Sequence, residues 1–268
     1  VTPGWPQLRP DIQVHESVVD VDALWDRFEV FEAIHHTQRI CNPMNENQLV
    51  ELLDILRPAE RSSWLDVACG SGELVIRAIE QGSCSATGLD LSPWMLNAGS
   101  AESERRLPAK QRPTWILTEA SKWDLEQPFD CVTCLGADWI WHGMRGTIPK
   151  LKDRVAIGGI VAYGGPRLNF GADPEYVSSE FGQLETAGDV EARMAECGLR
   201  VVERVDPGEA GWLSYLDRGR RDVLGWAERY PGPRAERWIA EQQDWAEHFE
   251  RDREVVGWSV WVVEPIEA

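Results

Sequence analysis

The sequence predicts an α/β fold: an open, mostly parallel sheet of seven strands with helices on both faces. Three observations predict it. From Ser62 onward, short apolar runs alternate with stretches of helical period; the first run passes directly into a glycine-rich turn, Gly70-Ser71-Gly72, and a helix; and Asp90 ends the next run. Strands covered by helices on both faces read as continuous apolar runs. Ligands of such sheets bind outside the C-terminal ends of the strands.

The elements follow in order. Residues 1 to about 20, with three prolines by position 10, read as an irregular arm. Leu24, Phe28, Phe31 and His35 then recur at steps of four, three and four, which predicts one amphipathic helix. Leu49, Leu52, Leu53 and Leu56 repeat that period, and Pro58 stops it. "SWLDVAC", "CSATGLDLS", "TWILT", "FDCVTCLGA", "IVAYGGP", "LRVVERV" and "VVGWSVWVVE" are the predicted strands. Between the second and third, Ser92 is a plausible N-cap with Pro93 in the first turn. Val190, Met194 and Cys197 mark a helix closed by Gly198. The stretch 208–254 is too long for a hairpin connection and holds two helical patterns split by "PGP" at 231–233. The division expected is an N-terminal arm and helical cap over residues 1–60, a cofactor-binding core over 61–207, a helical insertion serving as a substrate lid over 208–254, and a final core strand over 255–268.

The chain has 268 residues, enough for a full core. Its formal net charge is −18, with no basic block to interrupt the acidic excess, so nucleic acid and anionic membranes are not expected partners. The six cysteines lie in apolar or strand-like contexts, and no signal-like start or membrane-length apolar run is present; reduced thiols and a cytoplasmic location are expected. Cys131 and Cys134 have C-x-x-C spacing, but in a strand positions three apart face opposite ways, and no second pair or nearby His completes a set. They read as buried small residues, and no metal is expected. Most of the 14 tryptophans are expected in the core, with some lining a pocket.

The glycine turn brings bare backbone N–H groups close to a ligand. Asp90, ending the next strand, offers an acceptor-only side chain to the two hydroxyls of a ribose. Dinucleotide sites use a similar layout, with G-x-G-x-x-G. Here Val75 stands at the third glycine position and Asp66 precedes Gly70 by four, which favours a nucleoside ligand without a pyrophosphate. Taken singly, Asp66 could cap a turn, the glycines could serve backbone geometry, and Asp90 could cap the helix at Pro93.

The pattern L-D-V-A-C-G-S-G followed by G-L-D-L-S resembles the class I S-adenosylmethionine-dependent methyltransferases, whose fold is Rossmann-like. The resemblance runs from about Ile34 to Glu264. "RICNPMNENQLVELLDIL", "CLGADWIWHGMRGTIPKL" and the Trp- and Arg-rich insertion before "GWSVWVVEP" are similar to a bacterial and archaeal small-molecule group. It implies S-adenosyl-L-methionine as cofactor and S-adenosyl-L-homocysteine as product. It also implies that Asp66, Ala68, Gly70 and Gly72 surround the methionine part, Asp90 holds the ribose, and Leu91 packs on the adenine. Glu119, Ala120 and Ser121 would meet the adenine edge, with Leu135 and Gly136 beneath the methyl donor. Ala68 departs from the family's usual Gly by one methyl group.

Methyl transfer from a sulfonium is an in-line displacement, which requires alignment and exclusion of water more than catalytic groups. The Leu135-Gly136-Ala137-Asp138-Trp139 run lacks the Asn/Asp-Pro-Pro-aromatic turn of enzymes acting on amino groups of bases or glutamine, and no Pro-Cys pair is present. A small-molecule acceptor methylated at O, N or S is therefore expected. The alternatives are a non-catalytic cofactor-binding regulatory module and a protein side-chain methyltransferase. His142 ranks first as general base, since its ordinary pKa suits proton removal near neutrality, ahead of His35 and His36. Asp138, Trp139, Trp141, Trp212 and Tyr215 are the candidate substrate-binding residues, the aromatics forming a wall for an aromatic or cationic acceptor. The oligomeric state is not legible.

Overall fold

A computed structural model describes residues 6–82, 85–124, 127–169, 171, 173, 175, 184–252 and 254–266. Its elements in chain order are β1 (Ile12–Val14), α1 (Val21–Arg27), α2 (Glu29–His35), α3 (Glu46–Leu56), β2 (Ser63–Val67), α4 (Glu73–Gly82), β3 (Ser85–Asp90), α5 (Pro93–Arg106), β4 (Thr114–Leu117) and β5 (Phe129–Leu135). There follow α6 (Met144–Lys152), β6 (Val155–Leu168), α7 (Ala187–Glu196), β7 (Leu199–Val205), α8 (Gly208–Arg229), α9 (Pro233–Asp252) and β8 (Val256–Pro265).

The strands form one sheet in the order β1-β4-β3-β2-β5-β6-β8-β7. All neighbours are parallel except β8, which is antiparallel to both β6 and β7. The order reverses at β2, whose flanks are β3 and β5, so the crevice above the β2 C-terminus is the switch point where α/β sheets bind ligands. The α/β prediction holds with one strand added. β1 lies in the arm read as irregular: Ile12, Gln13 and Val14 pair with Trp115, Ile116 and Leu117 of β4. Three residues carry too little periodicity to announce a strand, and only the long-range pairing creates it.

The sheet separates two apolar layers, and residues alternate between them along each strand. On β2 and β5, Trp64 and Cys131 pack into one layer and Leu65, Val132 and Cys134 into the other. Both cysteines are buried, on opposite faces. The Ser92 side chain accepts the Met95 N–H with Pro93 at the first turn, as the sequence suggested, and Asn45 with Gln48 forms a capping box on α3.

The predicted first helix is two. Phe28 (φ −102, ψ 10) breaks it, and the Trp94 indole N–H donates to the Trp25 carbonyl (2.9 Å), an acceptor that a continuous helix would have used internally. Trp25 and Trp94 meet edge to face at 4.9 Å, fixing α1 on α5. α2 instead joins α8 and α9 in a small core of their own, Ala33, Val223, Trp226, Ala235 and Trp238. Two buried carboxylates, Asp222 and Glu29, pin this cap together. Thr37 N–H donates to Asp222 Oδ2 (3.1 Å), and the Trp238 indole N–H (3.0 Å) and Arg234 Nε (2.8 Å) reach Glu29 Oε2.

Glu29 is buried although its arginine partner is half exposed. Glu29→Ala leaves the Trp238 N–H without an acceptor and is expected to cost about 1–3 kcal/mol. Urea denaturation checks this, and an unchanged midpoint would mean that the α2–α9 junction does not depend on it.

Candidate active site

The turn after β2 takes the left-handed backbone conformation three times within five residues, at Ala68 (φ 55), Gly70 (φ 55) and Gly72 (φ 69). Its shape is held from β3. Cys69 N–H donates to the Leu89 carbonyl (2.9 Å), Gly70 N–H donates to Asp90 Oδ2 (2.8 Å), and Ser92 N–H donates to Asp90 Oδ1 (2.8 Å). Each Asp90 oxygen thus accepts one backbone N–H and keeps a lone pair for a further donor. The two glycines differ in what they make room for. A Cβ on Gly70 would meet nothing within 4 Å, whereas one on Gly72 would stand 2.2 Å from Trp115 Cη2.

A cavity of about 350 Å³ opens above this turn. Of the residues assigned to a cofactor, Asp66, Ala68, Gly70, Asp90, Leu91, Glu119, Ala120, Ser121, Leu135 and Gly136 line it. Gly72 does not, consistent with its contact with Trp115 beneath the turn. The β1 connection buttresses one end: Ser17 Oγ lies 3.2 Å from Thr118 Oγ1, and Glu119 N–H donates to Ser17 Oγ (3.4 Å).

Two further carboxylates shape the floor. Asp66 is buried and accepts from Thr133 Oγ1 (2.6 Å); burial, opposed by that bond and assisted by the nearby Asp90 charge, pushes it up to about 7. Burial likewise raises Asp90 above the usual carboxylate range, with the Ser92 and Gly70 N–H groups opposing it. Glu73, the first residue of α4, is buried and held by Arg77 (2.6 Å) and Arg106 (2.7 Å). It lines the cavity where a dinucleotide fold would put pyrophosphate on a helix N-terminus. A side-chain carboxylate already held by two arginines occupies that place, so the residues present fit a nucleoside without phosphate. Glu73 was missed in the sequence, although an acid directly after Gly72 was visible.

The opposite wall comes from the cap. Phe28 at the break, Phe31 and His35 from α2, the segment from Arg39 to Asn42, Met44, and Tyr215 from α8 all line the cavity, as do Trp139 and Ile140. His35 Nδ1 lies 3.1 Å from the Phe31 carbonyl, so that nitrogen carries the proton, and Nε2 accepts from Tyr215 Oη (2.9 Å). Burial lowers the His35 pKa to about 4 and raises that of Tyr215, so both are neutral near pH 7. Arg218 fixes the loop against α8, donating through Nε to Gln38 Oε1 (3.1 Å) and through Nη2 to the Asn42 carbonyl (3.1 Å).

The remaining sequence candidates lie elsewhere. His142, ranked first as base, is exposed and not among the cavity-lining residues; it is left-handed (φ 61) at the end of a 3₁₀ turn over Asp138–Trp141, which carries the chain on to α6. His36 sits 2.7 Å from Glu32 Oε1 and does not line the cavity. Asp138 is half-buried and accepts from Tyr163 Oη (3.4 Å). Trp141 is buried beneath the Arg154 guanidinium (5.2 Å), and Trp212 stacks on Phe249 (4.8 Å) behind Tyr215. Of the substrate-binding candidates, Trp139 and Tyr215 are at the cavity.

Among the described residues, no group of three or more His, Cys, Asp or Glu could hold a metal ion, and no helix is long and apolar enough to cross a membrane.

Residues 65–159 match the family model described as a methyltransferase domain. The chain is 26% identical over 247 residues to the protein YjhP of Escherichia coli (strain K12), described as uncharacterized, covering 88% of this chain and 96% of that one. It superposes with a TM-score of 0.80 on a SAM-dependent methyltransferase from Geobacter sulfurreducens in complex with S-adenosyl-L-homocysteine, at 26% identity over 88% of this chain and 98% of that one. A second such complex, from Thiobacillus denitrificans, gives 0.78 at 25% identity over the same shares.

The glycine contacts predict that Gly72→Ala costs about 2–4 kcal/mol, by left-handed strain plus overpacking on Trp115, whereas Gly70→Ala costs about 1–2 kcal/mol, from strain alone. Denaturation of both variants checks the order, and equal losses would contradict it. Asp66 gives a pH test. Its folded-state value lies above the unfolded one, so its contribution to stability is full below pH about 4 and lost as pH rises through about 7. Asp66→Asn, which stays neutral, is expected to flatten stability against pH in that window. A variant profile parallel to wild type would remove Asp66 as its source.

Proposed function

The chain carries a class I, Rossmann-like methyltransferase domain, and on that premise we propose that it is an S-adenosylmethionine-dependent methyltransferase acting on O, N or S of a small molecule. The observation that carries the reading is Asp90. Both of its oxygens are oriented by backbone N–H groups where the side chain lines the cavity, the arrangement that accepts two vicinal ribose hydroxyls. The complexes of the Geobacter and Thiobacillus relatives with S-adenosyl-L-homocysteine support the same ligand here.

Bound there, the cofactor supplies an electrophilic methyl group on a sulfonium. The chain's residues would do the rest. Asp90 would hold the ribose, and Leu91 with Glu119, Ala120 and Ser121 would enclose the adenine. Asp66, Ala68 and Gly70 would flank the methionine part, and Leu135 and Gly136 would bound the space before the methyl group. Gly72 would act from below, letting the turn close on Trp115. Asp66, near its titration point at neutral pH, would take or donate a hydrogen bond there.

The helical insertion over 208–254 and the N-terminal helices would form a roof over the acceptor. Their shared core and the presence of both His35 and Tyr215 at the cavity support this. A roof excludes water from the transfer and suits a small acceptor better than a protein side chain, which needs an open groove.

Calorimetry with S-adenosyl-L-homocysteine tests the reading. Micromolar binding to wild type and at least tenfold weaker binding to Asp90→Ala are expected, from loss of one charge-assisted group. Equal affinities would overturn the ribose assignment.

A further inference from the structure

The cavity is asymmetric in charge. Its carboxylates, Asp66, Glu73, Asp90 and Glu119, all come from the sheet side. Glu73 is already engaged by two arginines, and Glu119 pairs with Lys122 (2.7 Å). The cap side contributes Arg27 and Arg39 and no carboxylate. A cationic acceptor entering beneath the cap would therefore find aromatic faces but no carboxylate on that side, next to the Arg27 guanidinium and to an Arg39 whose charge is shared with Glu102 (3.4 Å). The aromatic wall alone left an aromatic or a cationic acceptor open; the charges beside it favour the first.

The hydrogen bonds on the same wall are also directional. The Phe31 carbonyl takes the His35 Nδ1 proton, so Nε2 can only accept, and the Tyr215 hydroxyl proton is committed to it. Tyr215 Oη is left with lone pairs and no proton to offer. A partner that hydrogen-bonds to Tyr215 Oη must then be a donor.

We propose that the cap side of the cavity takes a neutral, ring-bearing hydroxyl compound of the phenol type, whose O–H donates to Tyr215 Oη, with His35 as the positioning residue that fixes Tyr215 as an acceptor. The inference rests on the donor reading above and adds the acceptor class to it. Phe28, Phe31 and the His35 ring, stacked on Phe31 at 6.2 Å, supply the faces against which the acceptor ring packs. The acceptor oxygen would form the new bond to the methyl carbon as the carbon–sulfur bond breaks. That bond's electron pair passes to sulfur, neutralising the sulfonium. The hydroxyl proton passes to Tyr215 Oη as the tyrosine's own proton passes to His35 Nε2. Burial disfavours the resulting imidazolium, so the proton is held there transiently.

The test is binding rather than turnover. Wild-type protein saturated with S-adenosyl-L-homocysteine is titrated, by fluorescence and equilibrium dialysis, with 2-naphthol, 2-methoxynaphthalene and 2-naphthylmethylammonium. The naphthol is expected to bind at least tenfold tighter than either ring-matched probe. Tyr215→Phe should erase its advantage over the ether without changing S-adenosyl-L-homocysteine affinity. His35→Ala should reduce that advantage, and His35→Gln, whose amide oxygen can still accept from Tyr215, should restore part of it. Equal wild-type affinities for naphthol and ether, tighter binding of the ammonium, or an advantage that survives Tyr215→Phe would each overturn the inference. S-adenosyl-L-homocysteine affinity is read in the same wild-type sample. Its absence would strike the donor reading, whereas its presence together with indifference to the hydroxyl would strike the acceptor class alone.

Discussion

The carboxylate of Asp90 is the contact on which the candidate site depends. One oxygen takes the N–H of Gly70 and the other that of Ser92, so a single side chain at the end of β3 fixes both the glycine turn after β2 and the start of α5. The turn needs such a tie because three of its residues are left-handed, one of them the non-glycine Ala68, and strained backbone persists where its surroundings over-determine it. Trp115 supplies the other constraint, filling the space beneath Gly72 and contacting the Gly88 and Gly99 positions as well. The floor of the cavity is thus set by one carboxylate above and one indole below.

The roof follows different rules. α2, α8 and α9 have their own small core and are joined by hydrogen bonds to the buried carboxylates Glu29 and Asp222, contacts that belong to the cap and not to the sheet. His35 and Tyr215 come from helices about 180 residues apart in the chain, yet lie 2.9 Å apart because that core brings α2 against α8. The two halves of the cavity therefore answer to separate packing problems: the sheet side fixes polar geometry, and the cap side fixes apolar shape with one directional hydrogen-bonded pair.

The sheet side was largely legible in the sequence, because its signals are local. A buried strand, two glycines and an aspartate at the next strand end are contiguous features, and all but one of the residues they nominated line the cavity. The exception, Gly72, was legible as a glycine but not as a packing contact, since Trp115 lies far along the chain. What escaped was non-local. β1 exists only by pairing with β4, and the break at Phe28 goes together with Trp94 donating to the Trp25 carbonyl. Which histidine lines the cavity escaped for the same reason. His35 in an apolar stripe resembles a core residue, and it is one, but a buried position on α2 also faces the cavity once α8 packs against it. His142 followed the strand end closely in sequence, yet only Trp139 and Ile140 of the 3₁₀ turn line the cavity, and His142, left-handed at its end, is exposed and does not.

The most direct measurement is an electron-density map of the protein with S-adenosyl-L-homocysteine bound. The expected result has the ribose hydroxyls within hydrogen-bonding distance of both Asp90 oxygens, the adenine between Leu91 and Ala120, and the sulfur facing the wall formed by His35 and Tyr215. A ribose held by other groups, or a sulfur turned away from the cap, would contradict the assignment of one half of the cavity to the donor and the other to the acceptor.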